Sequence, residues 1–163
     1  MGNAIPEALI PFWRLAEGTL GPDASARFYD ASFFDDNEQS ANHLAGLVLV
    51  GRKRATAGLV WTFEFDGRAQ PCVGALSILT NWSGTPKCVV ETTSISIVPF
   101  EKVSAQFAAA EGEGDGTLKY WRRVHWEYFG RECVRIGRVP SATMPILCEK
   151  FEVVYSGDRE AAA

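Results

Sequence analysis

The chain has only two histidines, and its four cysteines, Cys72, Cys88, Cys133 and Cys148, stand far apart with no C-x-x-C pair among them. That excludes the spacings of zinc fingers and dithiol redox centres. Neither His43 nor His125 has a ligand-like partner nearby in the sequence, so no metal and no cofactor is expected. Positive charge is also in short supply: 16 Lys and Arg against 20 Asp and Glu leave a formal net charge of -4. A domain that depends on long-range attraction to nucleic acid is usually basic, at least over one face. No apolar run approaches the ~20 residues of a membrane span. Residues 1–17 lack the basic-then-apolar order of a signal segment. The expectation is a cytoplasmic protein with reduced thiols, no membrane partner and an oligomeric state the sequence leaves open. The glycine-rich stretches match neither G-x-x-x-x-G-K-[ST] nor a G-x-G-x-x-G that opens a helix, so nucleotide-triphosphate and dinucleotide binding are excluded.

What is present suits one packed core: 163 residues, 47% hydrophobic and 12% aromatic. Residues 1–163 read as a single domain, with its body over about 12–155 and a flexible tail over 156–163. Helical patterns cover 6–15, 24–34, 38–50, 101–110 and 117–129, the last ended by Gly130. Strand patterns cover 59–65, closed by the hairpin signal Asp66-Gly67, then 75–80, 87–98 and 146–155. Helices in front, strands in the middle and mixed elements behind give an α+β fold around a small antiparallel barrel or sheet.

The chemistry concentrates in Gly51-Arg52-Lys53-Arg54-Ala55-Thr56-Ala57-Gly58. Three consecutive cations repel one another unless an anion or a carboxylate sits among them. As surface charge, the triplet would simply suit a helix C-terminus. Thr56, three residues after Lys53, adds a second reading, because a buried lysine of depressed pKa takes a proton from a hydroxyl. The acidic stretch Glu111-Gly112-Glu113-Gly114-Asp115 is a second candidate. Asp115 reads as part of a helix cap, and Glu111 is better placed to point inward. A third is the helix carrying Arg122, Arg123, His125 and Tyr128, either an amphipathic surface helix or a phosphate- and base-binding face.

These residues also carry a resemblance. The hexad Gly51-Arg52-Lys53-Arg54-Ala55-Thr56 is similar to the G-x-K-x-x-T signature of the ASCH domain family, of the PUA-like superfamily. Leu47 to Val50, Glu111 to Asp115, Trp121 to His125, Tyr128-Phe129 and Glu149 to Tyr155 resemble its longer bacterial branch. The resemblance implies a small PUA-like barrel wrapped by helices, a cleft at the motif, and a link to RNA or its components. A short-chain branch hydrolyses the amide of 4-N-acylated cytidines with a lysine, a threonine and a glutamate, which fall on Lys53, Thr56 and Glu111 here. The longer branch has been linked to cleavage of single-stranded RNA, and other members to RNA binding alone. The leading expectation is a metal-independent amidohydrolase of a modified nucleoside, with Lys53 deprotonating Thr56, Glu111 relaying the proton, and Arg52, Arg54, Arg122, His125 and Tyr128 holding the substrate. A ribonuclease and a non-catalytic RNA binder are the alternatives.

Overall fold

The computed structural model describes residues 3–157. Five strands form one sheet in the order β1-β3-β4-β5-β2: β1 (Phe28–Ser32), β2 (Ala55–Leu59), β3 (Leu76–Thr80), β4 (Pro86–Pro99) and β5 (Pro145–Ser156). All neighbours are antiparallel except β1 and β3, which run parallel at one edge. The two longest strands, β4 and β5, form the spine. Register shifts at Val89/Val90 and Thr92/Ser94 interrupt their ladder, and such bulges bend a strand and increase its twist. The sheet is not closed: β1 and β2 are its two edges.

Around it lie α1 (Ile10–Leu20), α2 (Ala24–Arg27), α3 (Glu38–Leu49), α4 (Val60–Phe65), α5 (Ala105–Glu111) and α6 (Leu118–Ile136). Trp13, Phe28, Ile78 and Val89 fill the core under α1, while Phe100, Phe107, Trp121, Phe129 and Ile146 fill the larger one under α5 and α6.

Three elements differ from the sequence expectation. Residues 24–34 are one helical turn followed by an edge strand, because Phe28 enters the core as the first partner of β3. Residues 59–65 are aromatic and β-branched like a strand, yet only Leu59 ends one. From Val60 the chain coils, burying Val60 and Phe63 three apart, and Asp66-Gly67 ends this helix rather than turning a hairpin. Gly130 does not stop α6; that helix runs on to Ile136, where Gly137 takes the left-handed conformation. Ser156, the first residue of the expected tail, belongs to β5, Gly157 follows it, and residues 158–163 of that tail lie outside the described residues. No helix among the described residues is long and apolar enough to cross a membrane.

Candidate active site

The basic motif is held by its own backbone. At the end of α3 the Arg52 and Lys53 amides both donate to Leu47 O, at 2.9 and 3.1 Å. The Arg54 amide donates to Ala110 O of α5 at 2.8 Å, and its carbonyl accepts from Phe151 of β5 at 3.0 Å. Lys53 is thereby clamped between helix end and sheet, with its side chain pointing inward.

Its ammonium uses all three donors: Ala55 O at 2.8 Å, Glu113 Oε1 at 2.8 Å and Glu111 Oε1 at 3.3 Å. Lys53 is 2% exposed and Glu111 1%. The second Glu111 oxygen accepts from the Trp121 indole and lies 2.9 Å from His125 Nε2. His125 Nδ1 meets Trp121 O at 2.9 Å. Both imidazole nitrogens therefore face acceptors, which makes both donors and the ring a cation. The ring stacks on Trp121 at 4.2 Å between centroids. Two cations and two carboxylates leave the buried cluster neutral, the condition under which buried charge is tolerable.

The protonation states follow. Burial alone would lower the Lys53 pKa, but Glu111 and Glu113 outweigh it and raise it above 10.5. Burial works against ionised Glu111 as well, yet Lys53 and His125 bring it from 4.5 down to about 2. Burial would also lower His125, and Glu111 raises it. This corrects the expectation that burial depresses Lys53: with this carboxylate pair, Lys53 is an ammonium and has no room for a proton from Thr56.

The carboxylates are delivered by a tight loop. Gly112 follows α5 with φ +66°, and a Cβ there would stand 2.2 Å from Arg52 O. Only glycine fits. Asp115 accepts from the Thr117 amide and hydroxyl, and Thr117 caps α6, the structural role expected of that pair.

Lys53, Thr56, Glu111, Glu113, His125 and Tyr128 line one cavity of about 150 Å³. Phe33, Phe34, Thr56, Ala57 and Tyr128 are shared with an adjoining cleft of about 320 Å³ between the sheet and helices α4 and α6. Of the expected site residues, the fold thus brings together Lys53, Thr56, Glu111, His125 and Tyr128. It does not bring in three arginines. Arg52 turns away to Gly114 O at 2.6 Å, Arg54 lines an outer groove with Val50, Glu152 and the other side of Lys53, and Arg122 reaches Glu101 O on the surface. Sequence reasoning placed Glu113 in a candidate acidic stretch but gave it no role, although it alternates with Glu111 across a glycine that bends the chain back. The same proximity supplies His125 with two carboxylate neighbours that its sequence surroundings lack: donor atoms of Glu111, Glu113 and His125 lie within 4.8 Å of one another. The Lys53 ammonium already serves both carboxylates as their cation.

Fold and site together define a small α+β domain with a neutral, closed polar cluster opening onto a cleft beside its sheet. The chain belongs to the ASCH domain family, whose profile matches residues 30–155, a family of RNA-binding and hydrolase-like domains. The crystal structure of an ASCH domain from Lactobacillus crispatus JV V101 is similar, with 35% identity, a TM-score of 0.85, and coverage of 94% of this chain and 98% of that one. Protein EF3133 from Enterococcus faecalis V583 is similar at 27% identity and a TM-score of 0.83, covering 95% of this chain and 93% of its own. The hypothetical protein PH0355, at 13% identity and a TM-score of 0.51 over 78% of this chain and 99% of its own, shares the fold alone. A comparison with curated proteins returned no match.

Proposed function

We propose that the protein hydrolyses the exocyclic amide of a modified nucleoside of the 4-N-acylcytidine kind. The observation that carries this reading is the enclosure of Lys53, Thr56, Glu111 and Glu113 in one cavity continuous with a cleft of about 320 Å³. Small-molecule sites begin at roughly 300 Å³.

The roles differ from those expected of the residues singly. Glu111 spends both oxygens on Lys53, Trp121 and His125, so its task is to fix the two cations. Glu113, bound to Lys53 through one oxygen and partly open to the cavity, is the carboxylate free to move a proton. As the acyl group enters, its carbonyl oxygen replaces Glu113 on the Lys53 ammonium. The released carboxylate accepts the Thr56 proton, and the Thr56 oxygen attacks the carbonyl carbon. Lys53 then faces the developing oxyanion with a full charge on a side chain only 1% exposed, a contact worth a few kcal/mol (roughly 3). Water cleaves the resulting Thr56 ester in a second step.

Two carboxylates, Glu111 and Glu113, in the same cavity as Thr56 count against a polyanionic RNA substrate, and Arg52, Arg54 and Arg122 stand outside that cavity. The test is incubation with 4-N-acetylcytidine while following cytidine release. Turnover lost in Thr56→Ala, Lys53→Ala and Glu113→Gln supports the reading. Absence of turnover by the wild type, or full turnover by Lys53→Ala, contradicts it.

A further inference from the structure

The departing amine nitrogen needs a proton, and the one Glu113 takes from Thr56 in the Lys53 cavity is the one the Thr56 oxygen must receive back when its ester is cleaved. The adjoining cleft offers a second carboxyl. Glu149 on β5 is the register partner of Thr56 on β2. Directly opposed residues of an antiparallel pair project from the same face, with Cβ atoms about 5 Å apart, and both of these line the cleft. Thr92 Oγ1 donates to Glu149 Oε2 at 2.8 Å, beside the register shift in β4. Bulges of this kind recur next to active sites, where they re-aim a side chain. That is the carboxyl's one hydrogen bond among the described residues, and it leaves Oε1 without a hydrogen-bond partner there.

Glu149 is half-buried, and a carboxyl partly withdrawn from water with a single neutral partner keeps its proton longer than a fully exposed one. Burial raises Glu149 above the ordinary glutamate value, against the weaker pull of Thr92 and Arg68. The other titratable groups around the cleft are Tyr29, Asp30, Asp66, Arg68, Tyr128, Glu132 and Arg135. Their charges are largely spent on one another: Arg68 lies 3.6 Å from Asp30, and Arg135 pairs with Asp66 and Glu132.

We infer that Glu149 is the general acid that protonates the leaving nitrogen when the acyl group passes to Thr56. The inference rests on the amidohydrolase reading. With the carbonyl carbon above Thr56 and the base in the larger cleft, the nitrogen one bond away lies on the side of the neighbouring strand, at Glu149. The protons balance. In acylation the Thr56 proton goes to Glu113, the Glu149 proton goes to the amine nitrogen, the C–N bond breaks and the Thr56 ester forms. In deacylation water gives a proton to the Glu149 carboxylate, its oxygen attacks the ester carbon, and Glu113 returns a proton to the Thr56 oxygen. Amide and water become acid and amine, with both glutamates restored.

The experiment compares wild type, Glu149→Gln and Glu149→Ala on 4-N-acetylcytidine and on p-nitrophenyl acetate, whose leaving group needs no proton. For the amide, Glu149→Gln lowers kcat about 100-fold or more, in the range of lost general acid catalysis. KM stays within about threefold, and the fall of kcat at high pH disappears. For the ester, the variant still releases a burst of nitrophenolate, about one equivalent per site, before slow turnover. A raised KM with unchanged kcat, or loss of the burst together with the amide activity in a variant that keeps the wild-type circular dichroism and Tm, overturns the assignment. An inactive wild type removes the amidohydrolase reading and this assignment with it. An active wild type matched by Glu149→Gln removes the assignment alone.

Discussion

Lys53 and Glu111, 58 residues apart in the chain, form an ion pair at 3.3 Å with each side chain only 1% exposed. A pair so placed has no water to fall back on. Each charge is tolerable only because the other is there, and His125, Trp121 and Glu113 complete the solvation. The cluster is therefore both the centre of the candidate chemistry and a hazard to the fold.

Breaking the pair from one side should be costly. Lys53→Met leaves Glu111 buried beside His125 alone and is expected to destabilise the protein by about 3–5 kcal/mol. The double variant Lys53→Met/Glu111→Gln should recover part of that loss, giving a coupling above ~1 kcal/mol in a urea-denaturation double-mutant cycle. Additive losses would mean that the two side chains do not share an interaction.

Acid should unfold the protein through Glu111. Its folded pKa, about 2, lies below the ordinary 4.5. The stability this represents is present above pH 4.5 and is lost as the pH falls towards 2. At ~1.4 kcal/mol per unit it amounts to roughly 3 kcal/mol. The raised pKa of Lys53 acts at the other end, its contribution being present below 10.5 and lost only as the pH rises through the higher folded value. Denaturation midpoints measured across pH should therefore drop below pH 4.5, and Glu111→Gln should flatten that acid limb.

Gly112 is a test of the loop. Gly112→Ala places a Cβ 2.2 Å from the Arg52 carbonyl oxygen, at a φ of +66°. Backbone must move, because no flexible side-chain end is available to yield. A loss of about 2 kcal/mol or more is expected by chemical denaturation, from the strained backbone and the clash together. The contrasting Gly130→Ala, in the interior of α6 with nothing within 4 Å of its new Cβ, should stabilise by about 0.5–1 kcal/mol.

Arg54 and Arg122 separate a nucleoside site from an RNA site. Both lie outside the cavity that holds Thr56, Glu111 and Glu113, so Arg54→Ala and Arg122→Ala should leave kcat/KM for 4-N-acetylcytidine within about threefold. If single-stranded RNA were the substrate, the same changes would weaken binding and reduce its salt dependence.

Lys53, Thr56 and Glu111 were legible in the sequence chiefly through a motif that resembles a known family. A lysine with a hydroxyl three residues on could equally have been surface charge at a helix C-terminus, and it was the resemblance to the G-x-K-x-x-T signature that joined it to a glutamate at a helix end. The charge state was not legible, since it depends on Glu113 and His125 arriving beside Lys53 through the Gly112 turn and the face of α6. Residues 59–65 misled because Val, Trp, Thr and Phe favour strands on composition, while the packing of Val60 and Phe63 three apart decided for a helix. Glu149 left a weak trace: it is a carboxylate on the strand face that also carries Leu147, Phe151 and Val153. Its register opposite Thr56 is a tertiary fact no local pattern contains.

The central claim is that Thr56, served by the Lys53–Glu113 pair, is acylated by an amide substrate. Its most direct measurement is mass spectrometry of the intact protein quenched during turnover of 4-N-acetylcytidine. The account predicts an added acetyl group on the peptide containing Thr56, absent in Thr56→Ala. Cytidine release with no covalent adduct, at a rate unchanged in Thr56→Ala, would contradict it.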